Sequence, residues 1–235
     1  MKADGNSFPE FILGWTIGAN GGLIFGVLAF KTSVEETILK YINTFLGYGN
    51  PKSPFWFIGM EEGGGNDSGQ VEHRFKVWNQ RGQNATEDLV EFQKEIGITK
   101  WFVPPKPRLQ ATWKKLIRIY LSANGREAVP DVEAIRDFQV NRLGRRQISP
   151  KSPSPCLFEL MPLPSPGLDE CPCYWLAEQY PGLTFLNDRD DYTEKIRAKR
   201  IELLRQHIRR YQPAVVCFYG MDYFTLSGKR LPISP

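Results

Sequence analysis

The chain has 235 residues, 41% of them apolar and 24% charged, with a formal net charge of +4. There is ample apolar material for a core, so collagen, a long coiled coil and wholesale disorder are excluded. Only one stretch is long and uncharged enough to span a bilayer, which excludes a polytopic membrane protein.

Gly (21) and Pro (18) make up about one residue in six, against roughly 12% in an average protein. At roughly 150 residues per domain, the length allows one large domain or two small ones. Four cysteines are too few for a disulfide scaffold. Cys171 and Cys173 flank a single Pro, which is not a zinc-knuckle spacing. Cys217 lies in an apolar run and reads as a small core residue. This usage suits a reducing compartment, so a cytoplasmic location is expected. A His-rich metal site or a Ser-His-Asp triad would have to use His73 or His207, and neither has a suggestive neighbourhood.

Phe11 to Phe30 is free of charge, with Gly14, Gly18, Gly22 and Gly26 recurring every fourth residue. Its length matches a bilayer, and the small-residue stripe would let helices approach closely. Residues 1–30 therefore read as an apolar leader: a membrane tether, a signal segment, or an upstream extension of a globular domain. The domain itself is placed at 31–235. Ser33-Val-Glu-Glu36 has the form of a capping box and predicts a helix starting at Val34. That helix runs to Leu46 and ends in the breakers of Gly47-Tyr-Gly-Asn-Pro51.

Phe55-Trp-Phe-Ile-Gly-Met60 is a continuous apolar run, typical of a strand buried on both faces. It empties into Glu61-Glu-Gly-Gly-Gly65. Short helices are predicted over 71–78 and 89–96. The segment 109–121 has the strongest amphipathic pattern, with Lys114, Lys115 and Arg118 on its polar face. Pro130 opens a further helix to about Leu143. Ser149 to Pro155 is a Ser/Pro/Lys linker. Cys156-Leu-Phe-Glu-Leu-Met161 reads as a second buried strand, broken by Pro162 and Pro164.

Thr193 to Tyr211 forms a basic helix with seven Lys or Arg against two Glu, a pattern that usually marks a solvated face. Ala214 to Tyr219 reads as a third buried strand. Strands alternating with helices predict an α/β fold: a three-layer α/β/α sandwich with a mainly parallel sheet. Ligands in such sheets sit beyond the carboxyl ends of the strands. Glu61 to Gly65, Glu159 to Pro166 and the chain from Gly220 should then meet at one crevice.

Two adjacent carboxylates before the glycines would repel a nucleotide phosphate, and no Gly-Lys-Ser/Thr follows. Walker and Rossmann readings are therefore poor, and no nucleotide cofactor is expected. Carboxylates there suit a developing cation, the activation of a water, or a metal ion. The glycines allow close approach of backbone or ligand.

Ile58-Gly-Met-Glu-Glu-Gly-Gly64 resembles the first motif of the uracil-DNA glycosylase superfamily, which reads Gly-Met-Asn-Pro-Gly in one branch. Leu157-Phe-Glu-Leu-Met-Pro-Leu-Pro164 is similar to that family's strand ending in a base-reading Asn, with Glu159 in the place of the Asn. The basic helix followed by Gln212-Pro-Ala-Val-Val-Cys-Phe-Tyr-Gly220 resembles the helix, turn and buried strand that come next. The resemblance implies a uracil-DNA glycosylase-like fold that excises a damaged or deaminated base from single- or double-stranded DNA.

It implies Glu61, then Glu62, as catalytic carboxylates. Gly59, Met60, Gly63, Gly64, Glu159 and Pro162 would contact the base, and Lys114, Lys115 and Arg118 would contact phosphates. No metal or other cofactor is implied. Glu62 stands where the family has Pro. The second catalytic motif, His or Asn before Pro-Ser, has only a superficial echo in Leu231-Pro-Ile-Ser-Pro235, so the last strand of the fold is expected to be missing. Two alternatives remain: an inactive nucleic-acid-binding or interaction module on the same fold, and a metal-dependent hydrolase or nuclease using Glu61, Glu62 and Glu159.

Overall fold

The computed structural model describes residues 24–103, 105–125, 130–147, 154–167 and 173–220, and the side chains of 24–33, 173 and 174 fall outside that description. Five strands form one mixed sheet: β1 (Gly47–Tyr48), β2 (Phe55–Gly59), β3 (Thr86–Glu87), β4 (Cys156–Glu159) and β5 (Val215–Phe218), in the order β3-β1-β4-β2-β5. β2 is central and lies parallel to both β4 and β5. β1 pairs parallel with β3 and antiparallel with β4, so the sheet is mostly parallel. Every residue of β2 and β4 is buried, as a strand flanked on both sides and covered on both faces requires.

The helices are α1 (Ile24–Thr44), α2 (Ser68–Gln80), α3 (Leu89–Glu95), α4 (Ala111–Ala123), α5 (Val132–Asn141), α6 (Cys173–Gln179) and α7 (Arg189–Tyr211). Side chains alternate along β2, and its two faces meet different helices. Phe55 packs edge-on against Tyr120 of α4, which in turn meets Phe138 of α5. Trp56 faces Tyr211 of α7. Helices therefore cover both faces, an arrangement compatible with a three-layer sandwich. An aromatic cluster locks α1 to α2, where Tyr41 stacks on Phe45 and meets Phe75 and Trp78 edge-on.

Several expectations are corrected. α1 runs unbroken from Ile24 through Ser33, so the helix does not start at Val34. No Gly or Pro separates Val27 from Val34, and a cap needs a break before it. The α5 cap is Asp131, whose side chain accepts from the Ala134 N–H, and Pro130 precedes the helix. β5 is not a buried strand: Val215 is 42% and Phe218 54% exposed, and Cys217 is half-exposed. It sits at the sheet edge, with one hydrogen-bonded neighbour among the described residues.

Two strands were not anticipated. Gly47 and Tyr48 read as breakers, yet they form β1. Gly47 adopts φ +134°, and a Cβ there would meet the Leu157 carbonyl oxygen at 2.3 Å. Only glycine lets the two backbones come that close. No helix among the described residues is long and apolar enough to cross a membrane. Residues 1–23, most of the linker 149–155 and Cys171 lie outside the described residues.

Candidate functional site

The carboxyl ends of β2, β4 and β5 meet at a cleft of about 720 Å³. Its lining includes Glu61 to Gly65 after β2, then Glu159, Pro164 and Pro166 on and after β4. Tyr219 follows β5, and Arg74 of α2 and Gln93 of α3 complete this side. The lining also includes Ile96 to Trp101 with Gln110, Thr112 and Trp113.

The two loops on the strand-end side are zipped together beyond the sheet. Ser165 N–H donates to the Glu62 carbonyl (2.8 Å), and Gly64 N–H donates to the Ser165 carbonyl (3.1 Å). Gly65, at φ +74°, packs against Pro164, where a Cβ would come within 3.1 Å of the Pro164 carbonyl oxygen.

Glu62 is the hub of a buried polar cluster. Arg74, 3% exposed at the side chain, binds it with both guanidinium ends, Nη1 to Oε2 at 2.8 Å and Nη2 to Oε1 at 3.1 Å. The Tyr48 hydroxyl donates to Glu62 Oε2 at 2.7 Å, and the Gln93 amide donates to Oε1. Burial opposes the charge on Arg74, but Glu62, Tyr48 and Tyr41 together outweigh it and hold the guanidinium pKa well above its ordinary value. Burial, then the Glu62 charge, pushes the Tyr48 phenol well up. Both oxygens of Glu62 are thus committed to the protein. Glu61, 11% exposed at the side chain, is bound by Arg189 Nη2 of α7 at 2.6 Å.

Glu159, at the end of β4, is 9% exposed. Its Oε1 accepts from the Tyr219 hydroxyl at 3.1 Å, whereas its Oε2 is buried without a hydrogen-bond partner. Burial raises its pKa well above the carboxylate range, and Glu62 adds to the rise. A protonated carboxyl carries a donor as well as an acceptor, which an ionised one lacks. Tyr219 is pushed well up by burial and by Glu159.

Gly59 is the floor under this pair. A Cβ there would lie 2.3 Å from Glu159 Oε2 and 2.6 Å from the Tyr219 Cζ and Oη. The backbone beneath Glu159 is held by Arg200 of α7, 1% exposed, which donates Nη2 to the Glu159 carbonyl (2.8 Å) and Nε to the Leu160 carbonyl (2.9 Å). Burial lowers the Arg200 pKa to about 10.

The expected residues thus divide. Glu61, Glu62, Gly63, Gly64 and Glu159 line the cleft together. Gly59, Met60 and Pro162 are buried and outside its lining. Lys114, Lys115 and Arg118 lie on α4 beyond the cleft; Lys115 and Arg118 are exposed, Lys114 half-buried. Neither histidine lines it. Among the described residues no group of three His, Cys, Asp or Glu side chains is placed to hold a metal ion, and the two leading acids are ion-paired to arginines instead.

Sequence reading missed Arg74, Arg189, Arg200 and Tyr219. Two of these carried a signal. Arg74 stands on the helical stripe of Val71, Phe75 and Trp78, and Arg200 on that of Ile196 and Leu204. An arginine on an apolar stripe points to a buried partner. No family model, curated protein or solved structure matches this chain.

Proposed function

We propose that the cleft receives a base extruded from DNA and that the protein is a uracil-DNA glycosylase-like hydrolase of the N-glycosidic bond. The observation that carries this reading is the meeting of three strand ends around the buried, unpaired carboxyl oxygen of Glu159. The motif order along the chain supports it as well. Glu62 and Arg74 neutralise one another, Glu61 is matched by Arg189, and burial favours the neutral form of Glu159. The floor is therefore polar but close to uncharged, which suits an uncharged heterocycle with its own donors and acceptors.

In this reading the base leaves the stack and enters the cleft. The protonated Glu159 carboxyl addresses the polar edge of the base with both a donor and an acceptor, as an amide side chain would. Glu61 stabilises positive charge developing on the sugar and orients the attacking water. Glu62, committed to Arg74, Tyr48 and Gln93, acts as a positioning residue that fixes the loop carrying Glu61. Lys114, Lys115 and Arg118 contact phosphates outside the cleft.

The test is incubation with uracil-containing single- and double-stranded oligonucleotides, followed by a count of abasic sites. Wild type is expected to form them, and Glu61→Gln to lower the rate roughly a hundredfold or more. Undiminished excision by Glu61→Gln, or no abasic sites with wild type on either substrate, would sink the assignment. The ion pairing of Glu61 and Glu62 favours a second reading, a binding module on this architecture without excision. That module would bind the same oligonucleotides and leave them intact.

A further inference from the structure

We infer that the wall of the cleft formed by Ile98 to Trp101 with Gln110, Thr112 and Trp113 seats single-stranded nucleic acid, with a base stacked on Trp101 and the adjoining phosphate held by Lys100. The inference rests on reading the floor as a nucleobase site and extends it to the strand that carries the base. Trp101 and Trp113 both line the cleft, half-buried, with ring centroids 6.3 Å apart in an edge-to-face contact. The exposed Lys100 holds its ammonium 4.7 Å from the Trp101 ring centroid. An aromatic face beside a mobile cation is what a base and its phosphate require. On binding, the Lys100 ammonium exchanges the ring for the phosphate and the base takes its place on the indole.

The loop is built rather than incidental. Gln139 of α5, 0% exposed, spends its whole side chain on it. Its Nε2 donates to the Trp101 and Arg108 carbonyls, both at 2.9 Å, and its Oε1 accepts from the Gln110 N–H at 3.0 Å. Arg136 Nε adds a bond to the Pro107 carbonyl at 2.8 Å, and Arg108 N–H closes the loop onto the Lys100 carbonyl at 2.9 Å. A buried amide clamping three backbone groups preorganises the platform, which lowers the ordering cost of binding.

Charge sets the orientation. The floor is compensated by its ion pairs, whereas the loop bears the exposed cations Lys100, Lys106 and Arg108. Lys106 pairs with Glu133 at 3.2 Å, but both are 67% exposed, so that pair yields readily to a phosphate. A base goes inward and the backbone stays at the rim. Stacking on Trp101 needs a base free of its neighbours, which a duplex does not offer.

The test measures binding of a labelled oligothymidylate, which contains no uracil, by anisotropy across a salt series. Wild type should bind it more tightly than a duplex of equal length. Trp101→Ala should weaken binding roughly tenfold or more, while Trp101→Phe, which keeps a ring and the packing, retains most of the affinity. Lys100→Ala, at an exposed position, should lower the slope of log affinity against log salt by about 0.7.

Three results would each overturn the inference: equal affinity of Trp101→Ala and wild type, equal binding of duplex, or a heparin complex with the same dependence on Trp101. Because the probe has no excisable base, loss of excision with Trp101-dependent binding intact refutes only the catalytic reading.

Discussion

Replacing Glu159 by Gln isolates the most unusual group in the cleft. In the fold its carboxyl is buried, one oxygen lacks a partner, and the Glu62 and Glu61 charges act on it, with Arg200 a smaller opposing influence. Its proton is therefore held at pH values where the unfolded chain, with a carboxyl pKa of about 4.3, has released it. The native state binds the extra proton, so this residue's contribution is fully present below about pH 4.3 and is lost as pH rises toward the raised native pKa. The loss runs at about 1.4 kcal/mol per pH unit over that window.

Gln keeps an acceptor for the Tyr219 hydroxyl and does not titrate. The stability difference between Glu159→Gln and wild type should thus move in favour of Gln by about 1.4 kcal/mol per pH unit. Urea unfolding at pH values stepped upward from about 4.3 reads this directly, the slope lasting until the raised native pKa is reached. With m near 3 kcal/mol/M, the midpoints should diverge by roughly 0.5 M per pH unit. Every other titrating group is shared by the two proteins and cancels, apart from those facing residue 159. Parallel midpoint curves over that range would mean that Glu159 ionises in the fold as it does in the unfolded chain, and the neutral floor would be lost with it.

Two further predictions rest on packing and pairing in the same cleft. Gly59→Ala forces a Cβ to within 2.3 Å of Glu159 Oε2 and should cost roughly 1–3 kcal/mol in thermal or urea unfolding. Gly63→Ala, with nothing within 4 Å of the new Cβ, should stay within roughly 0.5 kcal/mol of wild type. Glu62→Ala strands the buried Arg74 guanidinium and should cost about 3–5 kcal/mol, while the double change to Glu62→Met and Arg74→Met recovers much of that loss. Additive losses in the double variant would show that the pair is not coupled.

What the sequence disclosed follows from which interactions are local. The strands Phe55–Gly59 and Cys156–Glu159 announce themselves because burial on both faces demands unbroken apolar runs. Their ends then locate the cleft, since chain direction in a parallel sheet fixes where loops gather. Val215–Phe218 has the same kind of run, yet it lies at an edge. Apolar composition does not distinguish a strand with two neighbours from a strand with one.

β1 and β3, two residues each, have no period to detect, and their pairing depends on Gly47 fitting against Leu157. The roles of Glu61 and Glu62 were hidden for a different reason. Adjacent in sequence, they are matched by arginines 128 and 12 residues away on different helices. The wall at Trp101 was missed because residues 98–110 have no helical or strand period. Its shape comes from the Gln139 side chain, 38 residues from Trp101.

The charges of this cleft are handled in three distinct ways, and the pattern bears on function. Glu62 is matched by a bidentate arginine, a tyrosine and a glutamine. Glu61 is matched by Arg189, 128 residues away in sequence. Burial, with Glu62 beside it, favours the neutral form of Glu159. Arg200 spends its cation on carbonyls that fix the strand beneath Glu159. Burying such groups is unfavourable even when they are well paired, and apolar side chains of the same volume would often hold the fold as well or better. A core selected for stability alone has little use for three acids at the ends of adjacent strands and two buried arginines on the helices beside them. A cleft that must present donors and acceptors without net charge has a direct use for them. Concentrated groups of perturbed pKa at strand ends are where chemistry or recognition resides, and the uncompensated oxygen of Glu159 is the atom on which both readings of this cleft turn.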